Sequence, residues 1–477
     1  MTAVYIVLVL GISTIFWSLV GLARISVETF YRQKALIPPL GFTGPRRFWP
    51  GAGFGAHSFP GVPSHGRAAR ISRVHGRRKA RPQKLTPDDV AVLVAAHNEE
   101  LVISATIRTA SALVPVQNIF VISDMSTDNT AAIARSAGVN VLELDPNRGK
   151  AGALAAGIAH FDLCNRFEVV MLLDADTRPA PDYLATGLPL FSDPGVVAVA
   201  GRAKSILSPK SKTIMGRFLV AYRERLYIVV QLLLKYGQAA KGANVVSIVP
   251  GFASMYRTSA LAKVDILAPG LVIEDFNMTF ELHAKKLGKI AFHPSAAVAY
   301  TQDPDTFEDY TKQVRRWILG FWQTVRRHRL RAGKFWLALV FYITELLFSC
   351  AFFVLMIPIL IVSVIATEQL QAGNASPQIV ALAGLIRPQD VLLGVFLPDL
   401  LLTVIAAIAL RQPSFLLRAA FFPLMRIVDA AICLIVLPKA FSSQSTGVWK
   451  SPTRRALSLP QGGDLQGQPS PEARFTG

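Results

Sequence analysis

The sequence predicts an α/β domain with a mostly parallel sheet, joined to an α-helical transmembrane region. Three observations carry this. Between about Val90 and Leu330, short Val/Ile/Leu-rich runs alternate with helical patterns, and three of the runs end in loops holding Asn, Asp or Glu. Apolar segments flank that stretch on both sides, near the roughly 20 residues that a spanning helix requires. Between the first apolar segment and the α/β stretch, the chain is basic and rich in Gly and Pro.

The α/β elements follow in order. "VAVLVAAHNEE" (90–100) is a buried-strand run that ends in a polar loop. "NIFVISDMSTDNT" (118–130) is a second, followed by the helical pattern "AAIARSAG". "VNVLEL" (139–144) is a short third strand, "KAGALAAGIAHF" (150–161) a small-residue helix, and "EVVMLLDADTRP" (168–179) a fourth strand running straight into acids. Such alternation implies a parallel sheet covered on both faces by helices. Ligands of such sheets sit beyond the carboxyl ends of the strands, where these polar loops converge.

The membrane region is read from charge. Residues 3–22 carry none; Phe335 to Ala366 carries only Glu345, and Val391 to Leu410 only Asp399. The first segment has no basic residue ahead of it and no clear small-residue cleavage site, so the expectation is an uncleaved anchor. Phe415 to Pro438 holds Arg418, Arg426 and Asp429. Charge in lipid is costly, so that segment is expected to be interfacial or re-entrant. The expected divisions are a transmembrane helix over 1–24, a basic linker over 25–88, an α/β domain over 89–306, an amphipathic interfacial helix over 307–334, transmembrane or re-entrant helices over 335–438 and a basic, largely disordered tail over 439–477.

The net charge of +19 has an address: Tyr31 to Thr86 holds 12 Lys/Arg and no Asp/Glu. No aromatic-rich nucleic-acid motif accompanies that run, so it reads as a polybasic stretch lying against anionic lipid on the cytoplasmic side rather than as a nucleic-acid surface. Cys164, Cys350 and Cys433 fit neither a metal spacing nor a disulfide framework.

Several positions carry chemistry. "LLDADT" places Asp174 and Asp176 two apart at a strand end, where hard oxygen ligands share Mg²⁺ or Mn²⁺ with phosphate oxygens; a solvated turn has the same appearance. "SDMSTD" offers Asp124, with Asp128 in the role of a helix cap. "NRGKAGAL" sets Arg148 and Lys150 at a helix start, which attracts phosphate. "VIEDFNMT" holds Glu274 and Asp275, one of them a candidate general base. In "QVRRWILGFW", Arg316 suits a bidentate contact to a diphosphate. Trp317 suits the apolar face of a sugar, and Gln313 lies one turn earlier on the same face. A membrane-surface helix with basic and aromatic anchors gives the same local pattern.

Together and in this order, "HNEE", "SDMSTD", "NRGKAGAL", "DAD", "ED" and "QxxRW", flanked by membrane segments, resemble the membrane-embedded family 2 glycosyltransferases, among them the cellulose, hyaluronan, chitin and poly-N-acetylglucosamine synthases. The resemblance covers about half the chain. It implies a GT-A fold, a mixed and mostly parallel sheet, that binds a UDP-sugar and Mg²⁺ or Mn²⁺ and inverts the anomeric carbon. In that reading Asp124 meets the uridine, Lys150 lies near the nucleotide, and Asp174 and Asp176 hold nucleotide and metal. Asp275 is the base. Gln313 and Trp317 bind the acceptor, and Arg316 binds the diphosphate. "GVWKSPTRR" resembles the tail element of some synthases, with Trp449 and Arg454 gating the nucleotide. The implied product is a β-linked polysaccharide made at the cytoplasmic face of a multi-pass membrane enzyme. Single transfer to a lipid acceptor is the alternative, and a non-enzymatic membrane scaffold or transporter the remote one. The pattern departs from the family at Ser123 and Met125, where Asp124 is usually flanked by Asp and Gly, and at Ile273, where Thr is usual.

Overall fold

The computed structural model describes residues 2–36, 84–207 and 210–442. Residues 2–24 and 84 onward form one compact unit, and residues 25–83 a second, of which the described part is helical. The expected linker and tail, with Trp449 and Arg454, fall almost wholly outside the described residues.

A seven-stranded sheet forms the centre of the α/β domain. Its strands are β1 (Val90–Ala96), β2 (Ile119–Asp124), β3 (Asn140–Leu144), β4 (Val169–Asp174), β6 (Val196–Ala200), β8 (Ala253–Arg257) and β9 (Lys289–Ala291), in the order β3-β2-β1-β4-β8-β6-β9. β1 to β4 pair in parallel; β8 is antiparallel to both β4 and β6. A three-stranded sheet of β5 (Arg178–Pro179), β10 (Val298–Thr301) and β7 (Arg202–Ser205) lies beyond it. The mixed, mostly parallel α/β fold expected from the sequence is the one observed. Every residue of β1 is buried, as expected of a strand covered on both faces. One face carries α3 (Ile103–Ser111) and α4 (Thr130–Ser136) and the other α5 (Gly149–His160), so the cores split about the sheet. The first crossovers run outward from β1 through β2 to β3, and the chain then returns to β4 on the opposite side of β1. That reversal opens a crevice at the carboxyl ends of β1 and β4.

Three further helices bind this domain to the apolar region. They are α6 (Ile214–Ile228), α7 (Glu274–Ala284) and α8 (Phe307–His328). α8 is strongly two-faced, with Tyr310, Val314, Phe321 and Trp322 buried and Arg315 and Arg316 exposed. Thr306 caps it, its hydroxyl accepting from the Asp309 amide at 3.1 Å. Then come α9 (Lys334–Gln371), α10 (Pro388–Leu410) and α11 (Phe422–Ser442). Three stretches, Lys334–Gln371, Pro377–Leu410 and Pro413–Ser442, are long and apolar enough to cross a membrane. Large apolar side chains stand exposed along them, including Leu337, Phe341, Phe348, Leu355, Leu397 and Ile435.

Two expectations about the apolar segments change. The N-terminal segment is not one helix. α1 (Thr2–Leu10) and α2 (Ile12–Leu36) meet at Gly11 with a bend of 70°. Gly11 has φ +85°, and a Cβ there would lie 1.7 Å from Glu345 Oε1. The same carboxylate accepts from the Ser13 amide at 2.7 Å, and the Arg426 guanidinium donates to the Val9 carbonyl at 2.5 Å. One donor and one acceptor freed at the break are thus met by charged side chains, as a break away from water requires. After a 3₁₀ stretch over Pro413–Phe421 that holds Arg418, the charge-bearing segment continues as the regular helix α11 with Arg426 and Asp429. Its charges do not face lipid alone: Asp429 accepts from Tyr222 at 2.8 Å and from Tyr310 at 2.7 Å, and Arg426 lies 3.5 Å from Asp399.

Candidate active site

The crevice gathers residues from both ends of the α/β stretch. Asp124 ends β2 and is fully buried. Its Oδ1 accepts from the Arg148 amide at 2.8 Å, while among the described residues no group meets Oδ2, also buried. Burial raises its carboxyl above the usual range, against the opposing pull of the Arg148 and Gly149 amides. An orphaned carboxylate oxygen at a strand end suits a donor from outside, such as a pyrimidine N–H. Asp128 is not the cap of α4, whose N-cap is Asn129 without a side-chain bond; it ties two loops together, its Oδ1 accepting from the Thr130 amide at 3.0 Å and its Oδ2 from the Glu100 amide at 3.0 Å.

Lys150, in the first turn of α5, reaches across the crevice. Its ammonium lies 2.6 Å from Asp174 Oδ1 and 2.9 Å from Glu274 Oε1. Burial alone would lower the lysine, but the two carboxylates outweigh it and hold it charged. Asp174 is pushed up by burial despite Lys150, with Asp176 and Glu274 adding in the same direction. Asp174, Asp176 and Glu274 thus set three carboxylates against the one close ammonium of Lys150. Among the described residues, no group of three or more His, Cys, Asp or Glu gathers as a complete metal cage. The oxygen-only pair Asp174 and Asp176, with its excess negative charge, fits a hard divalent cation that takes its other ligands from phosphate and water.

Glu274 and Asp275 open α7. Asp275 accepts from the Phe276 amide at 2.7 Å and the Gly251 amide at 3.3 Å. Burial first, then the neighbouring Glu274, pushes its carboxyl up to about 6. Gly251 permits the close approach: a Cβ there would meet Glu274 Oε1 at 2.9 Å, Lys150 Nζ at 3.1 Å and the Asp275 Cβ at 3.4 Å.

α8 is laid against this wall. Its Gln323 Oε1 accepts from the Val272 amide at 3.0 Å, and a Cβ on its Gly320 would press on Ile273 at 2.9 Å. One turn earlier, Arg316 stands exposed, near enough for its charge to lower Glu274. Gln313 and Trp317 point to a residue the sequence reading missed. Gln313 Oε1 accepts from the Arg223 guanidinium, which lies 4.0 Å from the centre of the Trp317 ring. Arg223 is 1 % exposed and its Nε lies 3.7 Å from Asp303 Oδ1, which also accepts from Tyr227 at 2.9 Å. The available signal was "YRERLY", a charged triplet inside an apolar helix, together with "QDPD". Gln323 and Gly320 also went unnoticed.

Lys150, Asp174 and Glu274 are therefore in contact, with Asp275 the next residue along, Asp176 and Arg316 near enough to act on their charges, and Asp124 held by the Arg148 amide two residues before Lys150, while Gln313 and Trp317 share Arg223. Strand-end acids at the switch point of a mostly parallel sheet, a lysine at a helix start and an arginine–tryptophan helix together suit an anionic, phosphate-bearing ligand. Residues 169–387, just under half of the chain, match the family model described as glycosyl transferase family group 2, and the chain carries a glycosyltransferase domain of that description. Among curated relatives, the poly-beta-1,6-N-acetyl-D-glucosamine synthase of Staphylococcus epidermidis is 28% identical over 263 residues, 51% of this chain and 59% of the relative. The synthase of the same name from Staphylococcus aureus (strain COL) is 29% identical over 245 residues, 49% of this chain and 54% of the relative. The chain thus matches less than two thirds of the length of these relatives. Among solved structures, a mannosyltransferase from Pyrobaculum calidifontis in complex with GDP-Man and Mn²⁺ aligns at a TM-score of 0.44 and 18% identity, over 74% of this chain and 91% of its own.

Proposed function

We propose that the protein is an inverting, divalent-metal-dependent transferase that moves a sugar from a UDP-sugar to the end of a growing β-linked polysaccharide. The names of the curated relatives make N-acetylglucosamine the first sugar to test. The catalytic domain faces the cytoplasm in this reading, with the multi-pass helices on its α8 side; the basic run over 31–86 supports that orientation.

The observation that carries the reading is the cluster in which Lys150 bridges Asp174 and Glu274 while Asp275, pushed up to about 6, stands one residue further along. Asp124 accepts a donor of the uracil ring. Asp174 and Asp176 would hold Mg²⁺ or Mn²⁺, which supplies charge neutralisation at the diphosphate when bound. Lys150 and Arg316 add fixed positive charge where the leaving group develops its negative charge. Asp275 takes the proton of the acceptor hydroxyl as that oxygen forms its bond to the anomeric carbon. The bond from that carbon to the phosphate oxygen breaks on the opposite face, releasing UDP. One base and one displacement give inversion, so no second carboxylate nucleophile is needed. The Gln313–Trp317 face of α8 meets the acceptor.

The test is turnover of a panel of UDP-sugars by the purified full chain with Mn²⁺ or Mg²⁺, with product length resolved. A polymer ladder supports the reading. A single organic-soluble product shifts the acceptor to a lipid, and no UDP release with any donor removes the enzymatic reading.

A further inference from the structure

Gln313 and Trp317 are the residues on which an acceptor is expected to rest, yet neither stands alone. Gln313 spends its carbonyl oxygen on Arg223, and Trp317 lays one ring face over the same guanidinium at 4.0 Å. Arg223 lies on a different helix, α6, and has no route to solvent. Its charge is balanced by Asp303, in the loop between β10 and α8, which is itself held by Tyr227 one turn further along α6. A buried guanidinium is costly unless paired, and here its carboxylate, amide and aromatic partners all come from the crevice wall. Tyr310, a turn before Gln313 on α8, adds a second ring 5.5 Å from the guanidinium carbon.

The neighbours of Arg223 on α6 turn the other way. Tyr222 donates to Asp429 of α11 at 2.8 Å, and Arg225 donates to Asp399 of α10 at 2.6 Å. Within four consecutive residues, Arg223 thus binds the Gln313–Trp317 face while Tyr222 and Arg225 bind two helices of the apolar region.

From this geometry we propose that Arg223 is a positioning residue for the acceptor: it fixes the Gln313 amide and the Trp317 ring as one flat platform and ties that platform to the helices through which a growing chain leaves. Arg223 does not touch the reacting atoms. One face of Trp317 is taken by the guanidinium, which leaves the other for a sugar ring. The planar fork is essential, because a single ammonium cannot at once lie flat under an indole and donate to an amide. The proposal rests on the transferase reading above.

The experiment compares wild type, Arg223→Lys, Arg223→Met, Trp317→Phe and the double variant Arg223→Met/Trp317→Phe, each as full chain in detergent or nanodiscs. The KM for an oligosaccharide acceptor, the KM for the UDP-sugar and product length are measured. Arg223→Lys keeps the charge that Asp303 needs and serves as the variant that folds. The expected result is a rise of tenfold or more in acceptor KM and shorter products for both Arg223 variants, with the donor KM within about twofold of wild type. Trp317→Phe then adds nothing further in the Arg223→Met background. Multiplicative effects in the double variant, equal changes in donor and acceptor KM, or wild-type acceptor KM in Arg223→Lys would each overturn the proposal. Wild-type protein that turns over no UDP-sugar overturns instead the transferase reading on which it stands.

Discussion

Replacing Asp275 by Asn separates stability from activity, and the two move in opposite directions. The carboxyl sits at about 6 instead of the ordinary 3.8, chiefly because burial opposes its charge and Glu274 repels it. That gap of about 2 units corresponds to about 3 kcal/mol of ionisation cost borne by the folded state at neutral pH. Asp275 is only partly buried, so solvent screening reduces the recoverable amount to about 1–2 kcal/mol. Asn is neutral and keeps one acceptor oxygen for the Phe276 amide. The sign follows from linkage. A raised carboxyl contributes its stability below pH 4 and loses it as pH rises through about 6, so the Asn variant gains nothing in acid and its full advantage above about pH 6.5. The expected outcome is a thermal midpoint at pH 7.5 higher than wild type by about 3–6 °C, equal midpoints near pH 4, and no sugar transfer at any pH. UDP affinity stays within a few-fold. In the wild type, transfer falls with unit slope as pH drops below about 6, because the base must be ionised. Differential scanning fluorimetry across pH, alongside UDP-release kinetics, reads both. A variant that is destabilised at pH 7.5, or that retains transfer, refutes the assignment of Asp275 as a strained base.

Further outcomes are expected. Lys150→Met leaves Asp174 and Glu274 facing each other without their ammonium; it should cost about 3 kcal/mol of stability and at least tenfold in UDP-sugar affinity, by calorimetry and chemical denaturation. Chelation with EDTA should abolish transfer, Mn²⁺ or Mg²⁺ should restore it, and Asp176→Asn should raise the metal concentration required; activity untouched by EDTA would contradict the metal reading. Asp399→Leu strands Arg225 and Arg426 inside the apolar bundle and is expected to lower stability by about 3–5 kcal/mol, with partial recovery on adding Arg225→Met. Gly11→Ala forces a Cβ against Glu345 at positive φ, at a cost of about 1–3 kcal/mol read as a lower thermal midpoint.

Much of the fold was legible because its signals are local. Uninterrupted Val/Ile/Leu runs mark β1, β2 and β4, and acids placed where those runs stop lie at the carboxyl edge of a parallel sheet by topology alone. Asp124 and Asp174 are therefore readable from position. So are α8, from its two-faced pattern, and the apolar stretches, from their length. The antiparallel insertion of β8 between β4 and β6 left no local mark, because strand polarity depends on which partner the chain finds later.

What the sequence determined by itself is the set of elements and the chemistry at their ends: which runs are buried, where carboxylates collect, and which helix carries arginine and tryptophan. Tertiary structure alone decided the pairings. It gave Arg223 to Gln313 and Trp317, 90 or more positions along the chain, and it bent the N-terminal helix at Gly11 around the Glu345 carboxylate. It also made Arg426 and Asp429 tolerable by bringing Asp399, Tyr222 and Tyr310 to them. The physical reason is desolvation. Whether a charged side chain in an apolar run is prohibitive or structural depends on a partner supplied by a distant element, and composition records the charge without the partner.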